Sequence, residues 1–287
     1  MEFSAFADDL FGESEGRQMT AAPISYNARL LQPQWFNQSD QQDPDQEQNK
    51  IRFSADHAFY KNKYEEALEK YQQCLSMIAG NNVTVWRDLN EAIAHCYANL
   101  NRQQEAINIL TQIIDKAITF EQKTSAWYTA ARVYSKLGLP DKELSMRQAL
   151  TLMHSSNPTL WKRLGQLYVQ IQKQAPPHEG QSSIKPFMCF TRSRLLHEAV
   201  CVNVTGLQRD RNLQEQDEVQ RLIKSLDVRN INTEKVTAAV HTAILNSHDK
   251  DNDKDQLTDH QLAVLIQPQE PTFSHDFEMK FFVLDGL

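Results

Sequence analysis

Residues 158–172, PTLWKRLGQLYVQIQ, place Trp161, Leu164, Gly165 and Tyr168 along one helical stripe behind a proline start. The same spacing returns at 124–134, TSAWYTAARVY, with Trp127, Ala130, Ala131 and Tyr134. Small residues at such positions let two helices approach closely, and Trp, Leu and Tyr fill the seam to the next pair. Working outward, residues 51–78 read as two amphipathic helices around Lys61-Asn62-Lys63, with Gly80-Asn81 as the stop. Residues 84–118 read as a second pair, with Ala94 and Tyr97 on its first helix and Ala106 and Leu110 on its second. The third pair continues through Gly138 and Pro140 to Ala149-Leu150. Ala55 precedes Ala67 by 12 and Ala94 precedes Ala106 by 12, whereas the third pair carries Glu143 where a small residue is expected. The sites Ala55, Ala94, Ala131 and Gly165 lie 39, 37 and 34 residues apart, a degenerate repeat. A generic helical bundle also places Ala and Tyr three apart, but it does not predict the recurring Trp-to-Tyr stripe.

The fourth unit departs from the rest. Its first helix ends near Gln172, and residues 173–186, rich in Pro, Gly and Ser, read as a loop. Residues 187–232 read as a long helical cap that also supplies the missing second helix. Its inward positions include Phe187, Phe190, Leu195, Ala199, Leu207, Val219, Leu222, Ile223 and Leu226. Residues 233–287 form a small C-terminal segment in which Val236–Ile244 fits a helix or a buried strand, and 277–284 is equally open. The expected organisation is therefore all-α: a tail over 1–50, about three and a half hairpins over 51–172, the loop, the cap and the C-terminal segment.

Composition supports helices and narrows the function. Average usage would give roughly 20 glycines in 287 residues, but there are eight, which disfavours Gly-rich phosphate-binding folds. No apolar run is long enough to span a bilayer, and the acidic start MEFSAFADDLFGE lacks a secretory pattern. Neither secretion nor membrane insertion is expected, which leaves the cytoplasm, the nucleus or both. Cys74, Cys96, Cys189 and Cys201 form no CxxC pair and read as reduced, packed thiols. Residues 1–50 hold nine acids and three bases, so most of the net charge of −7 sits there and the body is close to neutral. Nucleic-acid binding needs a basic face, which such a body does not supply globally. Residues 37–50 contain no apolar side chain and read as disordered. Ahead of them, Phe3, Phe6, Leu10 and Phe11 among acids, and Pro33-Gln34-Trp35-Phe36, read as short partner-binding segments.

The W-x-x-L-G-x-x-Y stripe, with a small residue twelve positions after the glycine site, resembles the tetratricopeptide repeat. This implies a degenerate array of that kind, whose first helices line a concave groove for peptides. By register, Arg52, Asp56, His95, Tyr128, Arg132, Lys162 and Gln166 face the groove. Some such domains grip a C-terminal carboxylate with Lys and Asn; the matching sites here read Arg52, Asp56 and Ala92, so that clamp is not expected. A second resemblance rests on Ser25-Tyr26, Pro33 to Phe36, Phe190-x-Arg192-x-Arg194-Leu195-Leu196 and Arg211-Asn212-Leu213 with Gln216 and Glu218. These segments resemble an animal family of uncharacterised repeat proteins named after an open reading frame on human chromosome 8. That family implies a longer insertion near 172–186 and no activity to transfer.

Candidate chemistry is sparse. His197-Glu198-Ala199-Val200-Cys201 is one histidine short of a zinc-protease helix, and Cys189, His197 and Cys201 lack a fourth ligand. Asp249, Asp251, Asp253 and Asp255 imitate a calcium loop but put Lys254 and His260 where glycine and glutamate are required. No metal, cofactor or small-molecule substrate is expected. Lys185, Arg192, Arg194, Arg209 and Arg211 form a basic strip suited to an acidic segment, the chain's own tail included. The expected function is a non-enzymatic adaptor holding a protein or peptide in the groove, with the tail as second attachment or autoinhibitory segment. Two alternatives stand beside it: a nuclear cofactor acting through the acidic tail, and an enzyme with a site near His178 and His197.

Overall fold

A computed structural model describes residues 36, 44–78, 82–174, 183–250, 266–270 and 272–282. The chain divides after Asp40, and apart from Phe36 all described residues belong to the unit 41–287. Among them are eleven helices, packed as sequential hairpins: α1 (Pro44–Tyr60) with α2 (Tyr64–Ser76), α3 (Val83–Asn99) with α4 (Gln103–Asp115), α5 (Phe120–Lys136) with α6 (Pro140–Met153), and α7 (Pro158–Gln174) with α8 (Ile184–Cys201). Then come α9 (Gly206–Lys224), α10 (Thr233–Lys250) and α11 (Phe273–Phe282). Both α9 and α10 pack on α8, and α11 packs on α6. None of the described helices is long and apolar enough to cross a membrane.

The first three hairpins turn in the same way. Asn62, Asn101 and Gly138 hold φ of 59°, 55° and 68°, the left-handed region that Gly and Asn tolerate best. One residue on, the amides of Lys63, Arg102 and Leu139 donate back to the carbonyls of Ala58, Tyr97 and Tyr134 at 2.9, 2.9 and 3.0 Å. Each turn so satisfies a carbonyl that the ended helix would leave orphaned. The next helices start with local devices: Asn82 Oδ1 accepts from the Val85 amide at 3.1 Å, Thr119 and Gln122 cap α5 reciprocally, and Pro140 opens α6.

Small residues sit where hairpin partners meet. Ala55, Ala67, Ala94 and Ala106 are wholly buried, and Ala131 nearly so. Glu143 breaks the pattern yet is buried, its Oε1 accepting from Arg147 Nε at 2.5 Å one turn on. At Gly165 an added Cβ would lie 2.6 Å from Phe190 Cε1 and 3.1 Å from Cys189 Cβ. Gly165→Ala gains about 1 kcal/mol of helix propensity but drives a methyl into a buried ring, at about 1–3 kcal/mol. A net loss of about 1 kcal/mol in urea denaturation is expected, and a variant as stable as the parent would show that α7 and α8 are less tightly apposed.

Two departures from the sequence reading have local causes. Helix α1 starts at Pro44, inside the stretch expected to be disordered, because proline is free at a first helical position and the Gln and Glu that follow sustain a helix. The cap expected over 187–232 is split between Cys201 and Gly206, and Gly206 takes a φ of 59° that ends continuity. So α8 supplies the second helix of the fourth hairpin, as expected, and the rest of the segment continues as a separate helix, α9. Residues 236–244 and, of the second open segment, 277–282 are helical: Val236, Val240 and Ile244 are buried at four-residue intervals on α10, and Phe277 is buried on α11, while 283 and 284 lie outside the described residues.

The buried apolar side chains form two clusters. One runs through α1–α6 and takes in Ile266. The other gathers Trp161, Leu164, Tyr168, Phe187, Met188 and Leu196 with Val236, Val240, Ile244 and Phe277. Leu152 on α6 touches both. Hence α8 is enclosed over most of its length: Thr191, Arg192, Ser193 and His197 are buried along with Phe187, Met188, Cys189, Phe190 and Leu196, while Ala199, expected to face inward, and Val200 are exposed in its last turn.

Candidate functional site

The first helices α1, α3, α5 and α7 carry the residues that register assigned to a groove. Arg52 is half-exposed and lies 3.7 Å from Asp88 of α3. Asp56 Oδ1 accepts from Tyr71 Oη of α2 at 2.6 Å, so its carboxylate is tied to its own hairpin. His95 is half-buried; burial first, and then the positive charge of Arg132, push its pKa down to about 4, which keeps the ring neutral near pH 7. Arg132 is exposed on α5. Tyr128, one turn before it, is 40% exposed, and burial of its inner part raises the pKa of its phenol despite the nearby Arg147. Gln166 on α7 accepts from Arg163 at 3.4 Å.

Lys162 does not join this set as an available cation. It is buried, its Nζ lying 2.5 Å from Glu215 and 3.3 Å from Glu218 of α9. That ion pair, together with desolvation opposing it more weakly, holds the Glu215 carboxyl below its ordinary range. Register could not reveal this, because the partners lie more than 50 residues away on a helix whose packing was open. Two further residues of the face escaped the sequence reading. Glu91 accepts from Ser125 and Thr129 of α5, each at 3.0 Å, and Asp88 meets Arg52. Helical spacing was a sufficient signal for Glu91, which lies one turn before His95.

The basic strip does not assemble as one surface. Lys185 pairs with Glu278 of α11 at 2.7 Å. Arg192 is buried. Arg194 pairs with Glu198 on its own helix. Only Arg209 and Arg211 are exposed, on α9. Five arginines and lysines across two helices and a turn point around the helices, so their nearness in sequence does not make a patch. Of the tail motif, Phe3, Phe6, Leu10, Phe11 and Trp35 lie outside the described residues, and Phe36 is half-buried. His178 and the aspartates from 251 on also lie outside them.

On α8, His197 is buried with neither ring nitrogen hydrogen-bonded, and burial lowers its pKa. Cys189 is fully buried, which pushes its thiol well up, and Cys201 is half-buried. Among the described residues no group of three or more His, Cys, Asp or Glu side chains converges as a metal site would require.

This chain belongs to the Family of unknown function (DUF5588), whose model matches residues 2–180. It is 32% identical over 165 residues to the uncharacterized protein C8orf76 homolog of Rattus norvegicus, and 30% identical over 167 residues to the uncharacterized protein C8orf76 of Homo sapiens. The alignments take in 57% and 58% of this chain but 44% of each relative, so they span under half the length of these curated relatives. No solved structure matches the chain. The family that the sequence resembles is the one found: Ser25-Tyr26 and Pro33 to Phe36 lie within the matched residues, and the arginine-bearing helix lies beyond them.

Proposed function

We propose that this chain is a degenerate tetratricopeptide-like array that acts by binding, holding a partner polypeptide along the face of its first helices. The observation that carries this reading is the face itself. Glu91 of α3 is bonded to Ser125 and Thr129 of α5, His95 of α3 feels the charge of Arg132 of α5, and Asp88 of α3 meets Arg52 of α1, while α9 and α10 are packed against α8, and α11 against α6. A half-exposed Tyr beside an exposed Arg is the composition of a binding hot spot. The neutral His95 ring leaves Arg132 as the cation of this stretch, suited to a carboxylate or carbonyl of the partner. Lys162 is left out of the contact set because Glu215 and Glu218 already neutralise it.

Proximity labelling with the full chain would name the partner, and calorimetry would then compare the parent with Tyr128→Ala/Arg132→Ala. Each side chain is worth about 1–2 kcal/mol at a hot spot, so affinity should fall by about 30-fold or more, with thermal stability little changed. Affinity unmoved by the double substitution would place the partner elsewhere on the molecule.

A further inference from the structure

The segment that follows Ile266 leaves a space over the early hairpins. Pro268, Glu270 and Ser274 stand across from α4 and α6 and enclose with them, and with Tyr134 of α5, a cavity of about 350 Å³. A volume above roughly 300 Å³ accommodates a small organic molecule. The apolar part of the lining is Ile107, Met146 and Pro268, the last two of them buried.

Tyr134 differs here from its equivalents in the repeat. Tyr97, Tyr134 and Tyr168 each follow the small residue of a first helix, Ala94, Ala131 or Gly165, by three positions. At two of the three, an amide from the second helix of the preceding hairpin meets the hydroxyl: Gln72 Nε2 donates to Tyr97 Oη at 3.1 Å, and Gln148 Nε2 to Tyr168 Oη at 2.9 Å. For Tyr134 the preceding second helix is α4, which brings Ile107 and Thr111 to the cavity instead. Tyr134 is 5% exposed, yet its hydroxyl has no hydrogen-bond partner among the described residues and is not sealed from water. A hydroxyl so deeply placed is costly until something bonds to it, and the cavity is the space beside it. Burial raises its pKa, so it stays a neutral phenol.

The other polar groups of the lining are set to accept. Thr111 Oγ1 donates its proton to the Ile107 carbonyl at 3.0 Å, and Ser145 Oγ to the Asp141 carbonyl at 3.4 Å. Both hydroxyls therefore have only lone pairs left to offer. Asp141 and Glu270 are exposed at the rim, and neither carboxylate is taken up by an ion pair among the described residues. Lys142, exposed at the same rim, offsets one of these two charges and leaves the lining net negative. Acceptors and a net negative charge above an apolar floor suit a donor-bearing cation on an apolar body.

We propose that this cavity binds a small primary amine, its apolar body against Ile107, Met146 and Pro268 and its ammonium among Asp141, Glu270 and the Thr111 and Ser145 hydroxyls. Tyr134 bonds the ligand from the floor. The site shares no residue with the first-helix face and does not depend on it.

Three molecules with one body and different heads test this: 2-phenylethylamine, 2-phenylethanol and phenylacetate. Each is titrated into the full chain near pH 7 at matched ionic strength, with affinity read by calorimetry and position by amide NMR shifts. The amine should bind saturably and several-fold more tightly than the alcohol or the acid, with shifts centred on 107–111, 141–146 and 268–270. Asp141→Asn/Glu270→Gln should abolish the preference for amine over alcohol. Tyr134→Phe, which removes only the hydroxyl, should weaken the amine several-fold with the melting temperature little changed. No saturable binding of the amine, an alcohol or acid that binds as tightly, or shifts centred elsewhere overturns the site. So does a preference that survives the double substitution, or an amine affinity unchanged in Tyr134→Phe. Should Tyr134→Phe not fold, the shift map of the parent and the substitutions at the exposed rim decide by the same criteria.

Discussion

Trp161→Ala should destabilise the chain by about 3–5 kcal/mol, the usual cost of removing a fully buried aromatic. Trp161 is 1% exposed, its indole N–H donates to the Ser155 carbonyl at 2.7 Å, and its ring packs against Phe277 and Phe281. It also holds one side of Arg192. Removing it deprives α11 of aromatic support first, before the early hairpins that α11 touches through α6. Hydrogen exchange should therefore accelerate first over 273–282, and the melting temperature should fall by about 10 °C. If exchange in α11 stays slow while α1–α6 loosen, the last helix is held by something other than this aromatic cluster.

Arg147→Leu should cost about 3 kcal/mol, because it strands the Glu143 carboxylate in the core. Only 5% of the Glu143 side chain is exposed, against 20% for Arg147. Removing one member of such a pair is far worse than replacing both. The double variant Glu143→Ala/Arg147→Leu, which restores a small residue at the crossing, should return to within about 1 kcal/mol of the parent. Urea denaturation of the three proteins checks this. Equal loss in single and double variants would show that the ion pair is not what makes the site tolerate a glutamate.

That pair also marks how far the sequence could be read. The hairpins were legible because a close helix crossing has few chemical solutions. Alanine or glycine recurs at Ala55, Ala94 and Gly165, and the Trp and Tyr stripe recurs with it. The turns were legible in principle too, since Asn62, Asn101 and Gly138 recur 39 and 37 residues apart and take the same backbone conformation. Glu143 looked like a lapse in the pattern because its remedy, Arg147, belongs to tertiary packing. The ambiguity of FEMKFFVL has the same origin. Aromatic-rich stretches suit strand and helix alike, and the decision came from Phe277 and Phe281, four apart, both reaching Trp161. Register predicts which way a side chain on a first helix points but not which distant acid meets it, as Glu215 meets Lys162. Arg192 was indistinguishable from a solvated arginine until the enclosure of α8 was known.

The last third of the chain changes how the whole comes apart. A row of hairpins that touch only their neighbours can fray from either end, one unit at a time. Here Ile266 is buried in the cluster of the early hairpins and lines a cavity with Ile114 and Trp127, across a gap of more than a hundred residues in sequence, and Phe273 packs on the same cluster. Such a stitch raises the average loop that folding must close and so slows it. In return it ties the middle of the row to its far end, so loss of the terminal helices is felt by hairpins they never adjoin in sequence.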